Sequence, residues 1–189
     1  DGRVTTAAVT ALNAAARGEL ARLRPRLPKN TGEWPDADRV AAGLGPALES
    51  GTGLLGLPGP VRAGRPKHTL LDVYFTRAGV SGMTSPFFLE TLIASNLLPF
   101  ERPGVIAHEW GHLAGFARES EASFFGLLVC LHGNDADRLA LAEVSRDRAE
   151  LSGRVGRSVS GVRYHYLRAL YHETLPLLDS ATYRESVPT

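Results

Sequence analysis

His108-Glu109-Trp110-Gly111-His112, within the stretch from Gly104 to Gly115, sets two imidazoles four residues apart with a carboxylate beside the first. On an α-helix residues at that spacing lie on one face, so both rings can reach a single ion while Glu109, one step round, addresses a water on that ion. Zinc in such a place lowers the pKa of the water toward neutrality and polarises a scissile carbonyl. The glutamate takes the water's proton and later passes it to the leaving amine. Histidine is scarce here, with six residues in the chain, and an HExxH would arise by chance in roughly one chain in a hundred of this composition. Context has to decide. Val105, Ile106 and Ala107 before the motif and Leu113 and Phe116 after it suit a largely buried helix. Two imidazoles and a carboxylate on such a helix are costly without a strong partner.

A catalytic zinc site takes three protein ligands and leaves the fourth position to water. Gly115 can end the motif helix, and an apolar helix follows from about Glu119 to Leu131. Helical spacing puts Glu119, Ala122 and Ser123 on one face, which offers a carboxylate, a small residue for close packing and a hydroxyl able to buttress a ligand. Periodicity therefore favours Glu119 as third ligand. Glu121 is the alternative, since it falls near the helix start where the chain is less regular. The ligand that is not used would be an acid favoured by a helix N-terminus.

The run from Ser81-Gly82-Met83-Thr84-Ser85-Pro86-Phe87 through Glu90, then Leu97-Leu98-Pro99-Phe100-Glu101-Arg102-Pro103, and on through HEWGHLAGFARESEASF resembles the bacterial family named domain of unknown function 3810. The resemblance covers about residues 67 to 131. Members of that family look like membrane-tethered zincins. By that likeness His108 and His112 take the ligand positions, Glu109 the base position, and Glu119 and Glu121 the two acid positions. Ser123 stands where the family has Asn. The likeness also implies a membrane tether through a segment outside this chain and a location on the extracytoplasmic face of a bacterial membrane.

The elements that must position these residues are read from pattern and punctuation. A chain of 189 residues, 43% hydrophobic and 22% charged, is sized for one domain with its own core. Its net charge of +1, with acids and bases interspersed, gives no footprint for nucleic acid. Thr5 or Thr6 can cap an Ala-rich helix to about Leu23, and Asp36 or Asp38 opens a second through Leu48; together these fill residues 1 to 50. The basic run Arg22 to Lys29 reads as a solvated helix end. Residues 51 to 66 form a Gly/Pro-rich connector. His68 to Thr76 is β-branched and aromatic enough for a strand, and Pro86 to Ser95 reads as its partner after a turn at Ser81-Gly82. Zincins commonly present an edge strand to an extended peptide, a role one of these two strands would fill by analogy. Glu90, on the second, has either a role at the site or an ordinary cross-strand contact.

Residues 133 to 189 read as C-terminal helices. Asp135 or Asp137 would cap a charged helix to about Val155, its alternating signs suiting a solvated face. A last helix near Ser160 to Leu178 carries Tyr164, His165, Tyr166, Tyr171 and His172. Any of these, Tyr164 and His165 first, could donate to a developing oxyanion, although aromatic residues at helical spacing also build cores. Cys130, the single cysteine, lies in an apolar run and reads as a small packed hydrophobe. The longest clean apolar run, Phe124 to Leu131, is too short to cross a bilayer, so the chain reads as soluble. It opens at Asp1 with no charged-then-apolar leader, as a mature or trimmed piece would.

These readings predict an α+β, mainly helical, zincin-like metallopeptidase domain with a small β-sheet and an HExxH active-site helix. One Zn2+ per chain would be held by His108, His112 and Glu119, with Glu109 as base and a peptide or protein as substrate. Ser123 and Glu90 would stand behind the ligands. The rival is a non-catalytic, zinc-stabilised interaction or sensor domain, and a metal-free helical scaffold is a third possibility.

Overall fold

A computed structural model describes residues 6–26 and 35–155. Six helices, α1 (Thr6–Leu23), α2 (Ala37–Leu54), α3 (Asp72–Ala78), α4 (Arg102–Leu113), α5 (Glu119–His132) and α6 (Asp135–Val155), surround three short strands, β1 (Pro66–Lys67), β2 (Gly82–Ser85) and β3 (Glu90–Ile93). The architecture is α+β and mainly helical. In the sheet β3 is central, parallel to β1 and antiparallel to β2, with Met83 opposite Leu92 and Ser85 opposite Glu90.

Helix α2 starts where Asp36 accepts a hydrogen bond from the Arg39 N–H at 2.8 Å, satisfying an otherwise orphaned donor of the first turn. It buries Val40, Leu44, Ala47, Leu48 and Gly51, the i, i+4, i+7, i+8, i+11 stripe of a core-facing helix. Against that stripe pack Trp110 and Ile106 of α4, Phe125 and Val129 of α5, and Ile93 of β3, each 1% exposed or less. Cys130 belongs to the same core, and burial pushes its thiol up. The indole N–H of Trp110 donates to the Gly64 carbonyl at 2.8 Å, fastening the segment before β1 to the motif helix.

A second, smaller cluster joins α1 to α6 through Leu20, Leu23, Leu139 and Ala142. Around it the charges of α6 are not all solvated as their alternation predicts. Glu143 and Asp147 are buried and meet Arg24 and Arg146 across or along the interface. Arg22 of the basic run pairs with Glu19. No helix among the described residues is long and apolar enough to cross a membrane.

Other expectations are corrected by the structure. Residues 72–76 of the predicted strand His68–Thr76 belong to helix α3 instead: only Phe75 faces the core, so no period-two burial exists to reward a strand. Gly79, at φ 68°, closes that helix with a left-handed cap. The Asp72 carboxylate accepts from the Ser95 N–H and hydroxyl, tying α3 to the end of β3. Ser81-Gly82 is no turn, because Gly82 begins β2; the reversal lies at 86–89, which shortens the second predicted strand to Glu90–Ile93. Helix α2 runs past Leu48 to Leu54 and shortens the connector. The predicted last helix, with Tyr164, His165, Tyr166, Tyr171 and His172, lies outside the described residues.

The cap of α6 is Asn134, one residue before the predicted aspartates. Its side-chain oxygen accepts from the N–H groups of Ala136 (2.8 Å) and Asp137 (3.1 Å), and the Asp137 carboxylate accepts in return from the Asn134 N–H at 3.1 Å. This reciprocal arrangement is a capping box. Asn134→Ala is therefore expected to cost ~1 kcal/mol and to lower the midpoint of thermal unfolding, followed by circular dichroism, by about 3 °C.

Candidate metal centre

Helix α4 carries its chemistry on the face turned to α5. Pro103 lies in its first turn, where a missing N–H costs nothing. Its end is a Schellman turn: Gly115, at φ 99°, donates to His112 O at 3.0 Å, and Phe116 N donates to Gly111 O at 3.1 Å. That turn folds the Phe116 carbonyl back over the helix, where it accepts from His112 Nδ1 at 2.8 Å. A carbonyl only accepts, so the ring donates from Nδ1 and turns Nε2 toward Glu119.

His108 is set by the next helix. Ser123 Oγ lies 3.3 Å from its Nδ1, while its Nε2 lies 3.1 Å from Glu119 Oε2. His112 Nε2 lies 3.6 Å from Glu119 Oε1. The two imidazoles meet edge to face with centroids 4.9 Å apart. Burial, joined by the neighbouring His112, holds the His108 imidazole below its ordinary pKa and so in the neutral form that ligates metals.

The close approach of the two helices has a residue-level cause. A Cβ on Gly111 would lie 3.0 Å from Ala122 Cα, and one on Gly126 would lie 3.0 Å from the backbone nitrogen of His108. Each glycine lets the other helix's backbone in. Ala122 thus provides the close packing expected of it, and Glu119, one turn earlier on α5, is carried up to both rings.

One nitrogen from each imidazole and one Glu119 oxygen lie within 4.8 Å of one another. A cation between these donors, or a proton on the ring nitrogen that faces Glu119, would separate the His112 nitrogen from the carboxylate, two acceptors that otherwise repel. Two donors bound to one zinc at about 2.0–2.1 Å in tetrahedral geometry sit about 3.3 Å apart. The His108–Glu119 and His112–Glu119 separations, 3.1 Å to one carboxylate oxygen and 3.6 Å to the other, are close to that value, and the three donors together span up to 4.8 Å. The donor set fits a zinc ion. Glu119 is 82% exposed in its side chain, whereas those of His108 and His112 are 22% and 19% exposed, so the site opens to solvent on the α5 side.

Glu109 points the other way round α4, toward β2, and is 4% exposed. The Thr84 hydroxyl lies 2.9 Å from its Oε2 and 2.9 Å from its backbone carbonyl. Burial raises the Glu109 carboxyl to about 7, against the opposing pull of the Thr84 hydroxyl. A Cβ at position 82 would sit 2.8 Å from Glu109 Oε1, so Gly82 keeps that oxygen clear. Gly82, Thr84, Glu109 and the three candidate ligands line one cleft of about 490 Å³.

Thr84 and Gly82 were not singled out from sequence as site residues; Gly-x-Thr in a strand, with both residues on one face, is the only local signal they leave. Ser123 stands behind His108, as its helical spacing predicts. Glu121 is directed to Arg118, 3.6 Å away, and Glu90 pairs with Lys67 across the sheet, so neither joins the cluster. A family model described as "Protein of unknown function (DUF3810)" matches residues 3–138. No curated protein and no solved structure matches the chain.

Proposed function

Since the chain belongs to the DUF3810 family, whose description assigns no activity, we propose from the site itself that it is a zinc-dependent metallopeptidase. The observation that carries this reading is the convergence of His108, His112 and Glu119 on one point, with the buried Glu109 on the same helix lining the same cleft. Zinc on those three donors would supply Lewis acidity and lower the pKa of a water to near neutrality. The residues of the chain do the rest.

Glu109 takes a proton from the attacking water at Oε1, the oxygen left clear by Gly82, and releases it to the departing amine. Thr84 holds Oε2 still through both transfers. The register of β2 and β3 supports an extended substrate. Ala94 N donates to Ser81 O at 2.9 Å, which makes 81, 83 and 85 the residues that bond β3. By the alternation of an antiparallel ladder, Gly82 and Thr84 then direct their backbone N–H and C=O to the outer edge. A peptide strand can pair there, beside the site. The edge-strand role thus falls to residues 82–85, upstream of the predicted strand Pro86–Ser95.

The test is removal and return of the metal. Protein purified without added metal is expected to hold about one zinc per chain by elemental analysis and to cleave an unstructured polypeptide, detected by mass spectrometry. Chelation should abolish cleavage and equimolar zinc should restore it. Protein that takes up no stoichiometric zinc would end the reading.

A further inference from the structure

Leu89 is the only residue other than glycine at positive φ among those described, at φ 53°. For a γ-branched L-residue this left-handed conformation costs roughly 1–2 kcal/mol, and glycine would adopt it freely. Core packing does not offset that cost, because Leu89 is 67% exposed. Leu89 nonetheless lines the cleft of the candidate metal centre, together with Pro86, Met83, Leu113 and Phe116. A strained, poorly buried leucine at the rim of a site is a residue held for what it presents there.

We infer that Leu89 determines specificity: the substrates are extended polypeptides with a large apolar side chain next to the scissile bond, packed between the β2–β3 turn and the end of α4. This rests on the peptidase reading and names its substrate class. The chemistry of the walls selects against the alternatives. Among the described residues, the only ionisable side chains lining the cleft are those of His108, Glu109, His112 and Glu119, all assigned to the metal or the proton transfer. A lysine or aspartate side chain of the substrate would be desolvated against Met83, Leu89 and Phe116 with no counter-charge of its own. A leucine or phenylalanine would bury apolar area against the same walls. Phe87 and Phe88 of the same turn are 89% and 77% exposed.

Leu89→Gly separates side chain from backbone, because it relieves the strain while removing the contact. The variant is expected to unfold at the same temperature as the wild type or higher. A series of fluorescent peptides differing only at the residue beside the cleaved bond (Leu, Phe, Ala, Lys, Asp) would be compared by kcat/KM with wild type, Leu89→Gly and Leu89→Ala. Binding of the same peptides to zinc-loaded Glu109→Gln protein, followed by anisotropy, gives a readout that needs no turnover. The wild type should favour Leu and Phe over Asp and Lys by roughly tenfold or more, and either Leu89 variant should lose most of that preference. Cleavage without an apolar preference, or a preference that survives both variants, overturns the assignment and leaves the peptidase reading intact. Apolar-selective binding that depends on Leu89, with no cleavage by the wild type, upholds the site and removes the peptidase reading. Peptides neither bound nor cleaved overturn both.

Discussion

Glu109→Gln is expected to leave about one zinc per chain in place and to lower kcat on an unstructured polypeptide by roughly 10²- to 10⁴-fold. The amide has nearly the shape of the carboxylate and retains an oxygen that can accept from Thr84, so the cleft and the α4–β2 contact persist. What it lacks is a basic oxygen. With Oε1 unable to take a proton, water is left to attack without a general base. Folding should not suffer, because a neutral side chain suits a position that is 4% exposed better than a charged one. Elemental analysis, thermal unfolding and initial rates on the same preparations separate the possibilities. Equal zinc with lost cleavage marks Glu109 as the base. Unchanged turnover would sink the peptidase, and a module that keeps zinc for structure or sensing would take its place.

The legibility of this molecule differs between its helical and non-helical parts for a physical reason. His108, Glu109 and His112 were readable because helical spacing is a local rule: sequence distance becomes spatial distance without knowledge of the rest of the fold. Glu119 followed from the same rule on the next helix, with Gly115 marking the break between the two. The strands offered nothing comparable. β2 has four residues and its burial does not alternate cleanly, so Thr84 and Gly82, 25 and 27 positions before Glu109, reach it only through the sheet and its packing on α4. Residues 68–76 misled because β-branched and aromatic composition is a weak signal that packing overrides. There the single buried Phe75 and the left-handed Gly79 decide in favour of a short helix. Leu89 was invisible for another reason. Its backbone conformation is one that leucine rarely takes, so nothing in its identity announces the turn.

Glycine substitution gives opposite expected results at different places in the chain, and that contrast tests how the two helices that carry the candidate ligands are held. Within a helix, replacing glycine by alanine restricts the unfolded chain and stabilises by roughly 0.4–1 kcal/mol where there is room. Gly18 of α1 has nothing within 4 Å of its missing Cβ, so Gly18→Ala should raise the unfolding temperature by a few degrees. At Gly126 a Cβ would meet His108 N at 3.0 Å, His108 Cα at 3.2 Å and Ala107 C at 3.3 Å. These are backbone atoms within a helix and cannot swing aside. Gly126→Val, with two further carbons, can be accommodated only if α5 retreats from α4, at about 1–3 kcal/mol or more for the overpacked interface. Retreat carries Glu119 away from both imidazoles, and ligand distances tolerate deviations of only about 0.2 Å. Zinc affinity, measured by competition with a chromophoric chelator, should therefore fall at least about tenfold. Gly126→Ala should lie between these cases. If Gly126→Val bound zinc as the wild type does, the ligand set would not depend on the closeness of these two helices, and the third donor would have to come from somewhere other than α5.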